Sequence, residues 1–598
     1  MNNTYKMKIM KKILYVFVCV AAAILTACSS FLNQEPFDNF TDEEFWKDEA
    51  QTRTFMYGFY TSIFSGYGTG TAHGPFLMGQ TLNDDFVSDV TQNNLQPEVV
   101  PVSDGAWSFT NIRRANYVLE NIDRLDEPVA TKNHWRGVAR FFRACYYSNL
   151  TFTFGDVPYY DKVLVVSNNK EDKDLMYKDR DPRVFVDQKI IDDFQYALDS
   201  VRQADGDLQV NRFVVAGMAS RFMLREGTFL KYHYGSDPEA IAMAEKCLKF
   251  AKDAALIVMN AGYSIAPSYN ALFTSENLAG NPEVIMYRHY VDGVLAHSTL
   301  AYSYTDAQAG ASKSLAEAFL SDDGFPVLVK EMFWQPKTAA DFFANRDPRL
   351  ALCIRPAYYI KGENCQPFAY ALSGFSWNKF MDDTRAGENE PTFAREKNVT
   401  DAPCLRYAEV LLNYVEAAYE LSRISSTYTF DQSDLDKSIN LIRARADVNM
   451  PRLEMVGDKP AVAGVVYDDP KRLMIEDNAN GETTPPLLWE IRRERRVELC
   501  FEGFRLNDLK RWGKLDYIWN GCNPDIRFGA YIRLADYPGK ADDVMLEDNT
   551  LTEGYILRNT GAGRERPVER NYISPVPTGQ IQLYEANGYK LTQTKEWQ

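Results

Sequence analysis

Four glutamates stand at four-residue intervals near the C-terminal end of the chain: Glu490, Glu494, Glu498 and Glu502. Arginines fill positions 492, 493, 495 and 496 between them. Paired carboxyl groups are the raw material of glycoside hydrolysis, which needs one of the two to carry a proton. Interleaved guanidiniums work against that, because a nearby cation holds a carboxyl ionised. Like charges at i, i+4 also destabilise an isolated helix, and pairs three residues apart (Arg493 with Glu490, Arg495 with Glu498) offset only part of this. The stretch has no clean apolar stripe. It is therefore expected to be an enclosed helix capped by Gly503 and held in a fixed ion-pair network that draws in Arg443 or Arg445.

Other catalytic spacings are missing. The sequence contains no G-x-S-x-G, H-E-x-x-H, Walker A or G-x-G-x-x-G pattern. Ser167 and Lys170 meet S-x-x-K by composition alone. The five histidines (His73, His134, His233, His289 and His297) show no ligand spacing. Asp477-Asn478-Ala479-Asn480-Gly481 has the composition of a calcium loop without the EF-hand order. No catalytic residue, no metal ligand and no cofactor is expected, with a loop Ca2+ as the one alternative. Seven cysteines of the body (Cys145, Cys247, Cys353, Cys365, Cys404, Cys500 and Cys522) form no C-x-x-C pair and read as buried thiols. An odd number leaves at least one unpaired. A Cys353–Cys365 bridge is allowed by the separation but not indicated.

Cys28 is different. Lys6, Lys8, Lys11 and Lys12 precede an apolar run from Ile13 to Leu25 that has the length of a signal h-region and is too short to span a bilayer. Leu25-Thr26-Ala27-Cys28 then resembles the lipobox of bacterial lipoproteins. Residues 1–27 are read as a signal peptide, with Cys28 taking a diacylglyceryl group on sulfur and a third acyl chain on its freed amine. Each buried CH2 contributes about 0.8 kcal/mol of anchoring. Residues 28–40 read as a tether, and no later segment is apolar enough to cross a membrane. The net charge of -16 and pI near 5.0 make nucleic acid an unsuitable partner.

The body, 41–598, reads as amphipathic helices. Thr41-Asp42-Glu43-Glu44 has the capping-box pattern ahead of Phe55, Phe59 and Ile63. Further stripes are Ile112/Ala115/Leu119/Ile122, Val138/Phe142/Cys145, and Ile190/Phe194/Ala197/Val201 opened by Asp181-Pro182. A helix over about 213–231 follows, then Ile241/Ala244/Leu248/Ala251/Ala255 opened by Asp237-Pro238. Ala408/Leu411/Val415/Ala418 and Leu435/Ile439/Ile442/Ala446 come late. Successive helix pairs are the mark of a helical-repeat scaffold. Two loop-rich insertions, about 263–403 and 455–486, interrupt it, and Glu283–Tyr287 in the first reads as a strand.

These elements in this order resemble the SusD/RagB family of outer-membrane nutrient-binding lipoproteins. The residues that carry the likeness are Phe31–Pro36, Thr41–Trp46, Gly137–Ala144 with Tyr146-Tyr147, Phe154-Gly155-Asp156-Val157-Pro158, Arg346-Asp347-Pro348-Arg349, Leu405–Leu412, Arg443–Ala446 and, most specifically, Arg492–Trp512. Two features depart from the pattern: the C-terminal close is Asn587-Gly588-Tyr589, and 455–486 is long. The resemblance implies an all-α-dominated, SusD-like fold of four tetratricopeptide-like helix pairs with long irregular loops and a few short strands. It implies a TonB-dependent SusC-like transporter as partner in the outer membrane, an oligosaccharide as usual cargo, and a position facing the cell exterior. Peptide capture on the same architecture is the alternative, and a glycan-active enzyme a more distant one.

Sugars stack C–H faces on aromatic rings and need hydrogen bonds for their hydroxyls. Ligand candidates on that basis are Tyr67, Tyr302, Tyr304, Trp334 and Trp377 as platforms, with Arg288, Asp306 and Asn378 as polar contacts. Asn83-Asp84-Asp85 matches a family element and reads as structural.

Overall fold

The computed structural model describes residues 46–77, 82–88, 99–167, 169–304, 309–358, 373–382, 394–537, 545–548, 550–557 and 564–598. The leader, Cys28, the tether, the Thr41–Glu44 box, Asp306 and Cys365 lie outside these residues. So do the side chains of Tyr302 and Tyr304, although both sit in the short helix Thr299–Tyr304.

Helices α1 (Glu49–Tyr57), α2 (Thr110–Asn121), α3 (Val129–Phe154), α4 (Arg183–Ser200), α5 (Arg212–His233), α6 (Pro238–Met259) and α7 (Tyr407–Ser422) form the scaffold. α3 packs on α2 and α4, α5 on α6, and α7 on α6. The apolar stripes face inward as their period requires: Ile112, Phe142, Ile190, Phe194, Leu248 and Leu411 are all at most 1% exposed. α5 and α6 approach closely at Gly227, where an added Cβ would meet the Leu248 side chain at 2.8 Å. Arg143 of α3 ties three helices together, holding Asp193 of α4 through Nε and Nη2 (2.7 and 2.8 Å) and the Asn116 carbonyl of α2 (2.8 Å). Among the described residues no helix is long and apolar enough to cross a membrane.

Several local expectations are corrected. α6 is capped by Asp237 as its sequence suggests, and α5 by Asn211. α4 is not capped by Asp181, whose carboxylate instead accepts from the Tyr159 N–H at 2.7 Å. The first N–H of α4, that of Arg183, donates to Asp156 at 2.8 Å. The turn before the helix thus supplies the acceptor that the flanking residue does not. The stripe from Leu435 to Ala446 is two short helices, Gln432–Asp436 and Ile439–Arg443, broken at Ser438. The 455–486 stretch is not irregular. It holds an antiparallel three-stranded sheet (Glu454–Val456, Lys459–Val462, Val465–Val466) and helix α8 (Pro470–Glu476).

In the first insertion, strand Val284–Arg288 pairs antiparallel with Ala402–Arg406. The insertion builds a second apolar core around Tyr269, Phe273, Tyr290, Trp377 and Phe380. The charged helix α9 (Pro486–Glu498) lies on the seam, with Leu487, Leu488 and Ile491 in the helical core and Val497 in the insertion core. It ends before Gly503, which is therefore not its cap. Gly503 instead takes φ +83° in the following turn, where a Cβ would stand 2.4 Å from the Pro75 carbonyl.

The enclosed ion-pair network is present and larger than expected. Both Arg443 and Arg445 join, at 2.7 Å from Glu494 and 2.8 Å from Glu498. Arg349 and Arg406 also reach Glu498, at 3.2 and 2.7 Å. Arg493 pairs with Glu490 at 3.0 Å, but Arg495 turns to Asp508 (2.9 Å) rather than Glu498. Asp84 and Asp85 are structural, pairing with Arg505 (2.7 Å) at the start of helix α10 (Arg505–Arg511) and with Arg496 (2.8 Å) of α9.

Candidate functional site

The sequence-derived platforms separate once burial is known. Tyr67 is 3% exposed, with its ring 4.9 Å from Phe76 and 4.8 Å from His297. Trp377 is 1% exposed between Phe86 and Phe501. Neither ring has a free face for a sugar, so both leave the candidate set. Arg288 is spent on the Gly66–Gly70 turn, donating to the Ser65 carbonyl (2.6 Å) and Thr69 Oγ1 (2.9 Å). Asn378 donates to the Ala351 carbonyl at 2.7 Å and holds a chain crossing.

Trp334 alone of the described candidates lines an open cleft, of about 640 Å3. Its position follows from Arg346 of the Arg-Asp-Pro-Arg motif. That guanidinium is buried and pairs with no carboxylate among the described residues; it donates to the carbonyls of Leu320, Ala316 and Phe319 and stacks 4.9 Å from the indole. Burial pulls its pKa down to about 10. Arg349, three residues on, reaches into the α9 network, so one motif sets both the cleft wall and the seam behind it.

The opposite wall is α8, its following Asp477-Asn478, and the loop Asn520–Asp525. Asn523 is fully buried and donates to Ser314 Oγ at 3.0 Å, yet its carbonyl oxygen has no donor. The carbonyl oxygen of Asn520 is likewise buried and without a donor. Buried acceptors left open are costly unless a ligand or water supplies the hydrogen. The floor is a charge square. Lys313 pairs with Glu317 (2.7 Å) and Asp525 (2.9 Å), and Lys471 pairs with the same two carboxylates. Burial lowers the pKa of Lys471; for Glu317 the two ammoniums outweigh the opposite pull of burial and keep it below the usual range. The square is neutral and Asp477 adds a further carboxylate to the lining, so the cleft disfavours anions and suits an uncharged, hydroxyl-rich ligand. Phe333, beside Trp334, is 90% exposed.

Sequence reasoning named Trp334 and noted Asp477–Gly481 for another reason. It missed Asn520, Asn523, Lys313 and Lys471, because single polar residues in loops carry no spacing signal. The Asp477–Gly481 composition is explained in part by local bonding: Asn480 accepts from Arg566 at 2.8 Å and donates its N–H to Asp516 at 2.6 Å.

One grouping of metal-ligand types occurs among the described residues: Glu49, His134 and Asp205. His134 Nδ1 accepts from the Arg202 N–H, so Nε2 carries the proton and faces Asp205 at 3.5 Å. Arg53 and Arg202 already neutralise the two carboxylates. A cation there would add a third positive charge, and the group reads as an ion-pair knot. In the α9 ladder, Glu490 alone rises, to about 7, through burial and the nearby Asp469. It is completely buried and lies out of reach of a substrate.

A model described as the SusD family matches residues 282–597, and one described as "Starch-binding associating with outer membrane" matches 82–224. SusD-like protein P2 of Formosa agariphila is 24% identical over 553 residues, spanning 87% of this chain and 95% of its own. A SusD-like carbohydrate binding protein of Bacteroides fragilis superposes with a TM-score of 0.63 at 19% identity, covering 90% of this chain and 99% of that one. A laminarin binding SusD-like protein superposes at 0.50 with 16% identity, covering 92% and 100%.

Proposed function

The chain belongs to the SusD family, and from that premise we propose that it captures oligosaccharides at the cell surface in the cleft of Trp334. The supporting observation is the pairing, in one open cleft, of a half-buried indole with the half-buried amide side chain of Asn520. An indole offers a face to sugar C–H groups, and an amide side chain such as that of Asn520 offers hydrogen bonds to hydroxyls. The carbohydrate binding SusD-like protein of Bacteroides fragilis and the laminarin binding SusD-like protein, to which the chain is similar, support the same cargo class. The protein is a binder rather than an enzyme in this reading. A lipid on Cys28 anchors it to the outer membrane facing the exterior, and it passes cargo to a SusC-like TonB-dependent transporter.

Retardation in native gels containing laminarin, xyloglucan or starch tests the cleft. Trp334→Ala is expected to weaken retention by roughly 5- to 30-fold, the loss of about 1–2 kcal/mol of stacking and apolar contact. Asn520→Ala should weaken it in the same direction. Retention unchanged in both variants would remove this cleft, and binding of peptides with no glycan retained would change the cargo.

The anchor has its own test. Labelling cells with an alkynyl palmitate analogue should tag the protein and leave Cys28→Ser untagged in the soluble fraction. An untagged wild-type protein would overturn the lipid assignment.

A further inference from the structure

A second cavity, of about 380 Å3, lies between α5, the Ser62–Gly66 turn and the α9–α10 segment and shares no lining residue with the Trp334 cleft. Five guanidiniums line it, those of Arg221, Arg225, Arg406, Arg495 and Arg511, against two carboxylates, Glu409 and Glu502. Four of the five are neutralised. Arg221 grips Glu409 with two bonds of 2.6 Å. Arg406 holds Glu498 and Glu502, Arg495 holds Asp508, and Arg511 holds Glu416.

Arg225 is the exception. Its side chain is 12% exposed and sandwiched between Phe152 (4.5 Å) and Phe222 (4.8 Å). Its hydrogen bonds go to neutral oxygens, Asn149 Oδ1 at 3.1 Å and Ser148 Oγ at 2.8 Å, and its Nε has no partner. The nearest carboxylate, Glu226, stands 3.6 Å away and is already taken by Arg183 at 2.5 Å. Burial depresses the Arg225 pKa to about 10, which marks a cation short of compensation. A buried guanidinium that shares its one carboxylate with a second arginine leaves part of its desolvation cost uncovered. An anion entering from solvent recovers part of that.

We propose that this cavity is a second ligand site, one that takes an oxyanion, the carboxylate or sulfate group of a small molecule or sugar, with Arg225 as its charge partner. Asn507, half-buried on the same wall, supplies a further donor. Planar guanidinium forks match carboxylate and sulfate oxygens in pairs, which a lysine would not do. The site is independent of the Trp334 cleft, whose two lysines are matched by two carboxylates.

Calorimetric titration of the mature chain with sodium sulfate and with sodium glucuronate, at constant ionic strength in chloride, tests it, with glucose as the neutral control. Both oxyanions are expected to bind and glucose to leave this site empty. Binding of one oxyanion only would assign its class. Arg225→Gln should weaken binding tenfold or more, and Trp334→Ala should leave it unchanged. Asn507→Asp places a competing carboxylate in the cavity without disturbing the α5 core and should also weaken it at least tenfold. No binding above chloride in the wild type, or wild-type affinity in the Asn507→Asp variant, would overturn the site.

Discussion

Glu498→Gln is expected to destabilise the protein by about 3–5 kcal/mol at neutral pH, the cost of breaking a buried ion pair from one side. The seam is balanced: Arg349, Arg406, Arg443, Arg445 and Lys379 face Asp347, Glu283, Glu494, Glu498 and Glu502. Glu498 is fully buried and accepts from three of those arginines. Removing its charge leaves one excess cation between two apolar cores. Burial would raise the Glu498 pKa, but Arg445, Arg406 and Arg349 outweigh it and hold the carboxyl well below the usual range. The sign follows from linkage. A carboxyl with a depressed folded pKa stabilises above its unfolded pKa and loses that contribution only as pH falls through the folded value. The gap between wild type and Glu498→Gln is therefore full at pH 7 and narrows in acid.

Glu490, two turns earlier on the same helix, should behave oppositely. Its folded pKa of about 7 lies above the ordinary carboxyl value of 4.5. Between those values the fold binds a proton that the unfolded chain does not, so stability falls as pH rises through the window. Arg493 also keeps Asp469 when Glu490 is neutral. Glu490→Gln is expected to cost little at pH 5 and to be neutral or stabilising at pH 8. Urea midpoints for both variants at pH 5 and pH 8 check the pair. Equal losses in the two variants at pH 8 would show that the seam does not discriminate between these carboxyls.

Trp377→Ala is expected to cost about 3–5 kcal/mol, as large-to-small changes at buried tryptophans do, and to leave ligand affinity intact in the folded fraction. The indole sits on strand Phe375–Trp377 with its ring 5.3 Å from Phe86 and 4.8 Å from Phe501. Its Nε1 is buried without an acceptor, so Trp377→Phe should cost clearly less than Trp377→Ala by removing that donor too. Trp334→Ala should show the reverse: a small shift in thermal midpoint and a large loss of glycan retention. Thermal melts and affinity gels on the same preparations separate the two roles. A loss of glycan affinity in folded Trp377→Ala would return that residue to the site.

Much of the scaffold was legible because its signals are local. The stripe Ala408/Leu411/Val415/Ala418 repeats at helical period, and Asp237-Pro238 carries its own cap and first turn. The α9 ladder announced an enclosed network for a different reason: four glutamates at i, i+4 cannot stand together without outside cations, so the partners were implied even before they could be named. Arg443 and Arg445 were anticipated, whereas Arg349 and Arg406 were not, since they arrive from the insertion and the strand that closes it, more than 90 residues before Glu498.

The site divided along the same line. By its own residues the sequence determined that aromatic rings stand among loop residues and that buried cations must neutralise α9. Only the tertiary structure decided which rings remain accessible. Tyr67, Trp334 and Trp377 look alike as aromatics among small polar neighbours. Burial is a property of everything that packs on a residue, and those neighbours come from distant segments: Phe501 covers Trp377, whereas Asn520 and Asn523 leave room in front of Trp334.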